Sequence, residues 1–283
     1  MKFYDVHIHF FYECPLDELR RIFRLLETMG VGGIDVLVIA EYPAEMETVL
    51  KMIPGEYHPY STPRVFENQR DPFPALSWPG PLKIVPFLDG RFIENQIEQK
   101  IKMFRQRGFE GLKLLYVPEE DPELRVGGME KTFGRTCKRS EEITASLIES
   151  ASAQDMSVMM HVDLRKYGKF VEEMIHRHSQ TNFNIPHFGF SRRAISFLLE
   201  RYPNCYTDLS SLRPFIEKDP VSYRDFIRRY QDRILFGSDA LIIQPEHVQS
   251  TLKFIDRFLD DMEIFHKLVN KNYLAFHGIP DEV

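Results

Sequence analysis

Two histidines stand two residues apart in the first apolar run, Asp5-Val6-His7-Ile8-His9-Phe10. On a strand, residues i and i+2 project to the same side, so both imidazoles can grip one cation. Three more candidates close later apolar runs: His161 after Ser157-Val158-Met159-Met160, His187 after Asn184-Ile185-Pro186, and Asp239 after Phe236-Gly237-Ser238. Imidazole plus carboxylate is a natural donor set for zinc or another divalent first-row metal. Such a cation brings water toward hydroxide at neutral pH, and an adjacent carboxylate can accept the proton. The remaining histidines (His58, His176, His178, His247, His266, His277) fall in a loop or in helical stretches and are given no role.

These residues need elements that bring strand ends together. Short apolar runs recur at 3–10, 34–40, 83–88, 111–117, 157–163, 183–190, 205–209 and 233–238. Several are apolar on both faces, as in strands buried on both sides of a parallel sheet. Helical spacing fills the gaps at 15–29, 92–107, 141–154, 166–178, 191–202, 221–231 and 246–260, with Ser140 and Ser191 as expected N-caps. Eight strands alternating with helices most simply close into a (β/α)8 TIM barrel, an α/β fold whose active site lies at the carboxyl ends of the strands. A doubly wound open sheet fits less well, because Phe11-Tyr12-Glu13-Cys14-Pro15 after the first strand is no glycine-rich phosphate loop. All 283 residues read as one such domain. Two long Pro- and Gly-containing segments, 54–82 and 117–139, leave strand ends and are expected over the barrel mouth.

Composition narrows the function. The formal net charge of −6 supplies no excess cation for phosphates, so no nucleic-acid partner is expected. Three scattered cysteines (Cys14, Cys137, Cys205) with no CxxC spacing indicate neither a disulfide framework nor a thiolate zinc cage. Charges at Lys2, Asp5, Glu13 and Asp17 interrupt any signal-peptide core, and no run of eighteen apolar residues spans a membrane. The default expectation is a cytoplasmic protein.

The stretches DVHIHF (5–10), GFEGLKLL (108–115), MMHVD (159–163), IPHFGFS (185–191), TDLSS (207–211), ILFGSDA (234–240) and KLVNKNYLAFHGI (267–279) together resemble the amidohydrolase superfamily. The resemblance covers essentially the whole chain. It is to the amidohydrolase-related branch, which includes metal-dependent hydrolases, lactonases, hydratases and decarboxylases. It implies that His7, His9, His161 and Asp239 bind one divalent metal, most simply Zn2+, one per chain. It further implies that Asp239 also moves the proton and that His187 polarises the water or substrate. Lys113, in the fourth strand, is the candidate bridging ligand if a second metal is present.

Arginine holds carboxylates in a bidentate way, so arginines just past strand ends suit a small anionic substrate. Arg165 and Arg213 follow their strands most closely; Arg64 lies in the first long segment, and Tyr116 and Trp78 are candidates for an apolar wall. The expected reaction is hydrolysis of a C–N, ester or lactone bond in a small carboxylated substrate. The alternatives are a non-oxidative decarboxylase or a hydratase/lactonase on the same site, and a phosphoesterase of the polymerase-and-histidinol-phosphatase type. By resemblance the chain is expected to form a homo-oligomer.

Overall fold

The computed structural model describes residues 2–10, 16–38, 78–91, 93–119 and 128–280. Nine strands form one sheet: β1 Phe3–Phe10, β2 Val31–Val38, β3 Lys83–Asp89, β4 Gly111–Tyr116, β5 Ser157–Val162, β6 Phe183–Ile185, β7 Cys205–Asp208, β8 Ile234–Leu235 and β9 Ala240–Leu241. Their order is β8-β7-β6-β5-β4-β3-β2-β1-β9, and every pairing is parallel. β8 and β9 are the two halves of one segment. The first half pairs with β7, the second with β1, and the link adds bonds from Val6 N to the Phe236 carbonyl and from Asp239 N to the His7 carbonyl. The segment therefore changes partner midway and closes the ring into a TIM barrel.

Helices cover the outside. The first, Leu16–Thr28, buries Leu19, Ile22, Phe23 and Leu26, a single stripe at helical spacing. Helix Leu164–Arg177 starts at Asp163, whose carboxylate accepts from Arg165 N, and helix Arg192–Arg201 starts at Ser191, which accepts from Ala194 N. Inside the ring, Val6, Leu37, Val85, Phe87, Met159, Tyr206 and Leu235 from six strands form an apolar cluster with Tyr273, Leu274 and Phe276 of the C-terminal helix Asn272–Phe276. That helix seals the end where the strands begin. Asn272 Nδ2 bonds the Gln231 and Ile234 carbonyls, and Asn182 Nδ2 bonds the Phe276 carbonyl.

Three expectations need correction. The sixth strand stops at Ile185, and Pro186–Phe190 is a left-handed turn with φ of 56°, 55°, 56° and 58° at His187, Phe188, Gly189 and Phe190. The eighth run is a broken strand rather than a continuous 233–238. Helix Cys137–Ser152 is capped by Thr136, not Ser140, which is buried inside it. The 54–82 and 117–139 segments lie outside the described residues at 54–77 and 120–127.

Candidate metal centre and active-site cavity

β1 places His7 and His9 on one side, as their spacing requires. Their Nε2 atoms are 3.2 Å apart, and both approach Asp239 Oδ1, at 3.3 Å from His7 and 2.8 Å from His9. The three side chains form a group in which every donor atom lies within 4.8 Å of the others. Asp239 reaches them because it adopts a left-handed conformation, φ 61°, between the two halves of the last strand. Gly237 makes that crossing feasible: a Cβ there would sit 3.0 Å from His7 Cβ and 3.2 Å from Asp208 Cγ. Asp5 Oδ1 pins the same crossing by accepting from His7 N and Ser238 N.

His161 lies one ring away from this group. Its imidazole meets the His187 ring at 5.1 Å, and His187 meets His7 at 5.2 Å. The buried Nε2 of His161 has no hydrogen-bond partner among the described residues. A buried imidazole nitrogen left bare beside two histidines and a carboxylate fits a fourth donor to a divalent cation.

Charge supports the same fit. Burial, opposed by Asp239 and Asp208, lowers the His7 pKa to about 4. Burial likewise lowers His9 and takes His161 well below the usual imidazole value. Neutral imidazole is the ligating form. Burial pushes Asp239 up, but His7, His9 and His187 outweigh it and hold the carboxyl well below its ordinary range. Lys113 is buried with Nζ 3.4 Å from Met159 Sδ, and burial lowers its pKa to about 8 against the pull of Asp239, Asp208 and Asp89.

Behind these side chains sits a hub that no sequence expectation named. Asp208, fully buried at the end of β7, accepts from His7 Nδ1 at 3.1 Å, Asn184 Nδ2 at 2.9 Å, His187 N at 3.3 Å and Ser210 N at 3.1 Å. Ser210 Oγ donates to Asp208 Oδ1 and lies 3.1 Å from His7 Nδ1 and 2.9 Å from His187 Nδ1. Ser211, at φ 55°, donates its hydroxyl to Asp239 Oδ2. The TDLSS stretch was the only signal for these residues, and its polar side chains look like ordinary turn formers.

A cavity of about 520 Å³ opens onto the centre, lined by His161, His187, Asp239, Ser211, Phe190, Phe215, Arg165 and Arg192 among others. Of the expected substrate contacts, Arg165 reaches it, with its guanidinium forked onto Asp163 at 2.7–3.1 Å. Arg192, also on this wall, bonds Asp219 and Ser222 and lies 4.0 Å over the Tyr223 ring. Three others are corrected. Arg213 pairs with Glu217 in a separate groove. Tyr116 points outward into the helix layer, stacked on Phe170 at 5.0 Å. Trp78 precedes β3 at the opposite end of the barrel, packing on Phe23 and donating to Glu27. Arg64 lies outside the described residues.

The sequence matches the amidohydrolase family Amidohydro_2 over residues 4–276, and the chain belongs to that family. Membership of that family makes it an enzyme of the metal-dependent hydrolase class. Among solved structures it is similar to a Pseudomonas putida protein assigned as a 2-pyrone-4,6-dicarboxylic acid hydrolase, at TM-score 0.60 and 15% identity, covering 99% of both chains. It is also similar to the Escherichia coli phosphotriesterase homology protein, solved with phosphate in its active site, at TM-score 0.54 and 9% identity over 98% of both chains. A TIM-barrel protein from Bordetella bronchiseptica gives TM-score 0.55 at 12% identity, over 98% of this chain and 100% of that one. No curated protein matches the sequence. No helix among the described residues is long and apolar enough to cross a membrane.

Proposed function

We propose that the protein hydrolyses a C–N, ester or lactone bond of a small anionic substrate. One divalent cation, zinc by the chemistry of the donors, would be held by His7, His9, His161 and Asp239. The observation that carries this reading is the convergence of His7, His9 and Asp239 within 4.8 Å at the edge of the cavity, with the bare Nε2 of His161 beside them. When bound, such a cation lowers the pKa of water and polarises the scissile carbonyl.

The chain's own residues supply the rest. Asp239 Oδ1 faces the histidines while Oδ2 carries the Ser211 hydroxyl. Oδ2 is the oxygen suited to take a proton from the attacking water and return it to the leaving group. His187 gives its Nδ1 hydrogen to the Ser210 carbonyl at 2.8 Å. A neutral His187 is then an acceptor at Nε2, suited to orienting the nucleophilic water. That is the water-polarising half of the role the resemblance implies, and this tautomer does not donate from Nε2 to an oxyanion. Arg165 and Arg192 place positive charge on the cavity wall.

The test is metal content by plasma emission on tag-free protein purified without chelator, followed by a hydrolysis screen of small carboxylated lactones, esters and amides. About one zinc per chain with metal-dependent hydrolysis is the expected result. No bound metal and no activation by added metal overturns it, and release of carbon dioxide from an aromatic acid moves the chemistry to decarboxylation.

A further inference from the structure

We infer that Asp208 is the positioning residue of this centre, and that its carboxylate sets the tautomer of His7. The inference rests on the reading of His7 as a donor to a divalent cation. Carboxylate oxygens only accept hydrogen bonds, so the 3.1 Å contact places a hydrogen on His7 Nδ1, and in the neutral imidazole that ligates a cation this leaves Nε2 bare toward His9 and Asp239. A second acceptor-only group, the Ser210 carbonyl, fixes His187 the same way at 2.8 Å. Ser210 Oγ spends its one hydrogen on Asp208 Oδ1 and can only accept from the two imidazoles. With His7 and His187 neutral, this assignment gives every hydrogen on Asp208's partners an acceptor.

This network makes an isosteric substitution informative. In Asp208→Asn, the position of Oδ1 faces three donors, His187 N, Ser210 N and Ser210 Oγ. The amide oxygen must stay there. The amide nitrogen then takes the place of Oδ2, opposite His7 Nδ1. It donates to that nitrogen, which must become an acceptor, so the His7 hydrogen moves to Nε2 and its donor lone pair is lost. Asn184 tolerates the change by turning its amide, because its buried Oδ1 has no partner among the described residues and can accept from the new NH2. His187 keeps its hydrogen on Nδ1, since the Ser210 carbonyl is untouched. A merely structural role for Asp208 predicts no such switch at one histidine and not the other.

The experiment is two-bond 1H–15N correlation on metal-free, [15N]histidine-labelled full-length protein, with zinc affinity by calorimetric titration. The expected result is Nδ1–H at His7 and His187 in the native chain, then Nε2–H at His7 alone in Asp208→Asn. Zinc binding in the variant weakens by roughly 10–100-fold, with an unchanged circular dichroism spectrum. Nε2–H at His7 in the native chain overturns the inference without any variant having to fold. So does a variant whose His7 tautomer and zinc affinity are unaltered. A native chain with the expected tautomers but no zinc uptake supports the role of Asp208 and fails the metal reading instead.

Discussion

Lys113 buries an amine beside the centre with no carboxylate in ion-pair range among the described residues. Its pKa falls from 10.5 to about 8, chiefly by burial. Between about pH 8 and 10.5 the folded chain holds fewer protons than the unfolded one, so this group makes stability rise with pH across that window. Below pH 8 the whole penalty is carried, about 3 kcal/mol at 1.36 kcal/mol per pK unit. Lys113→Met should therefore stabilise the metal-free protein by about 1–3 kcal/mol at pH 7, with the gain fading toward pH 10.5. Denaturant melts across that range check it, and a destabilised or pH-independent variant contradicts it. For His187→Asn, bound zinc should persist while turnover falls about 10²–10⁴-fold; loss of the metal would make His187 a ligand. The juxtaposition of His7 and His9 was legible because i, i+2 spacing on a strand is a local rule. Asp208 was not, because its meaning arises from a contact with His7 201 positions away. Arg165 lines the cavity with Asp163 holding its guanidinium, whereas Arg213 turns to Glu217 in a separate groove, and no spacing rule reveals either carboxylate.

At the scale of elements, apolar period located the strands within a few residues, and β1 matched its expected bounds 3–10. It failed where the backbone leaves the sheet to present a side chain. The apolar residues of 183–190 continue past Ile185, but Pro186 has no N–H to pair, and the chain enters the left-handed turn that carries His187. Such conformations are uncommon for non-glycine residues and gather at functional sites. His187, Ser211 and Asp239 all adopt one. Gly189 sits in the middle of the turn at φ 56°, and a Cβ there would overlap the Leu164 side chain. Gly189→Ala should lower stability by about 1–3 kcal/mol and reduce turnover more than zinc affinity, because the turn carries His187 rather than a donor of the metal group. Thermal melts and zinc titration of the variant decide this. Unchanged stability would show that the turn relaxes freely.

For the molecule as a whole, the barrel divides its labour between two ends. The metal-type donors, the cavity and the left-handed His187, Ser211 and Asp239 lie where the strands finish. The end where they begin is closed by the C-terminal helix through a buried polar lock. Tyr273 Oη donates to Asp35 Oδ1 at 2.9 Å, His277 Nε2 lies 3.1 Å from Asp35 Oδ2, and Tyr4 stacks on Tyr273 at 4.5 Å. Asp35 is fully buried, so these two partners replace the water its carboxylate gave up on folding. Conserving the ring while removing the hydroxyl isolates that bond. Tyr273→Phe should lower stability by about 1.5–3 kcal/mol, the worth of a hydrogen bond to a charged group. Zinc affinity and turnover should stay at native values, because no donor or cavity residue touches the lock. Denaturant melts beside a zinc titration test both halves of the statement. A variant with native stability would mean that the lock does not hold the helix. A variant that loses metal as well would show that the beginning of β1 transmits strain from Tyr4 to His7, and that the two ends of the barrel are mechanically one.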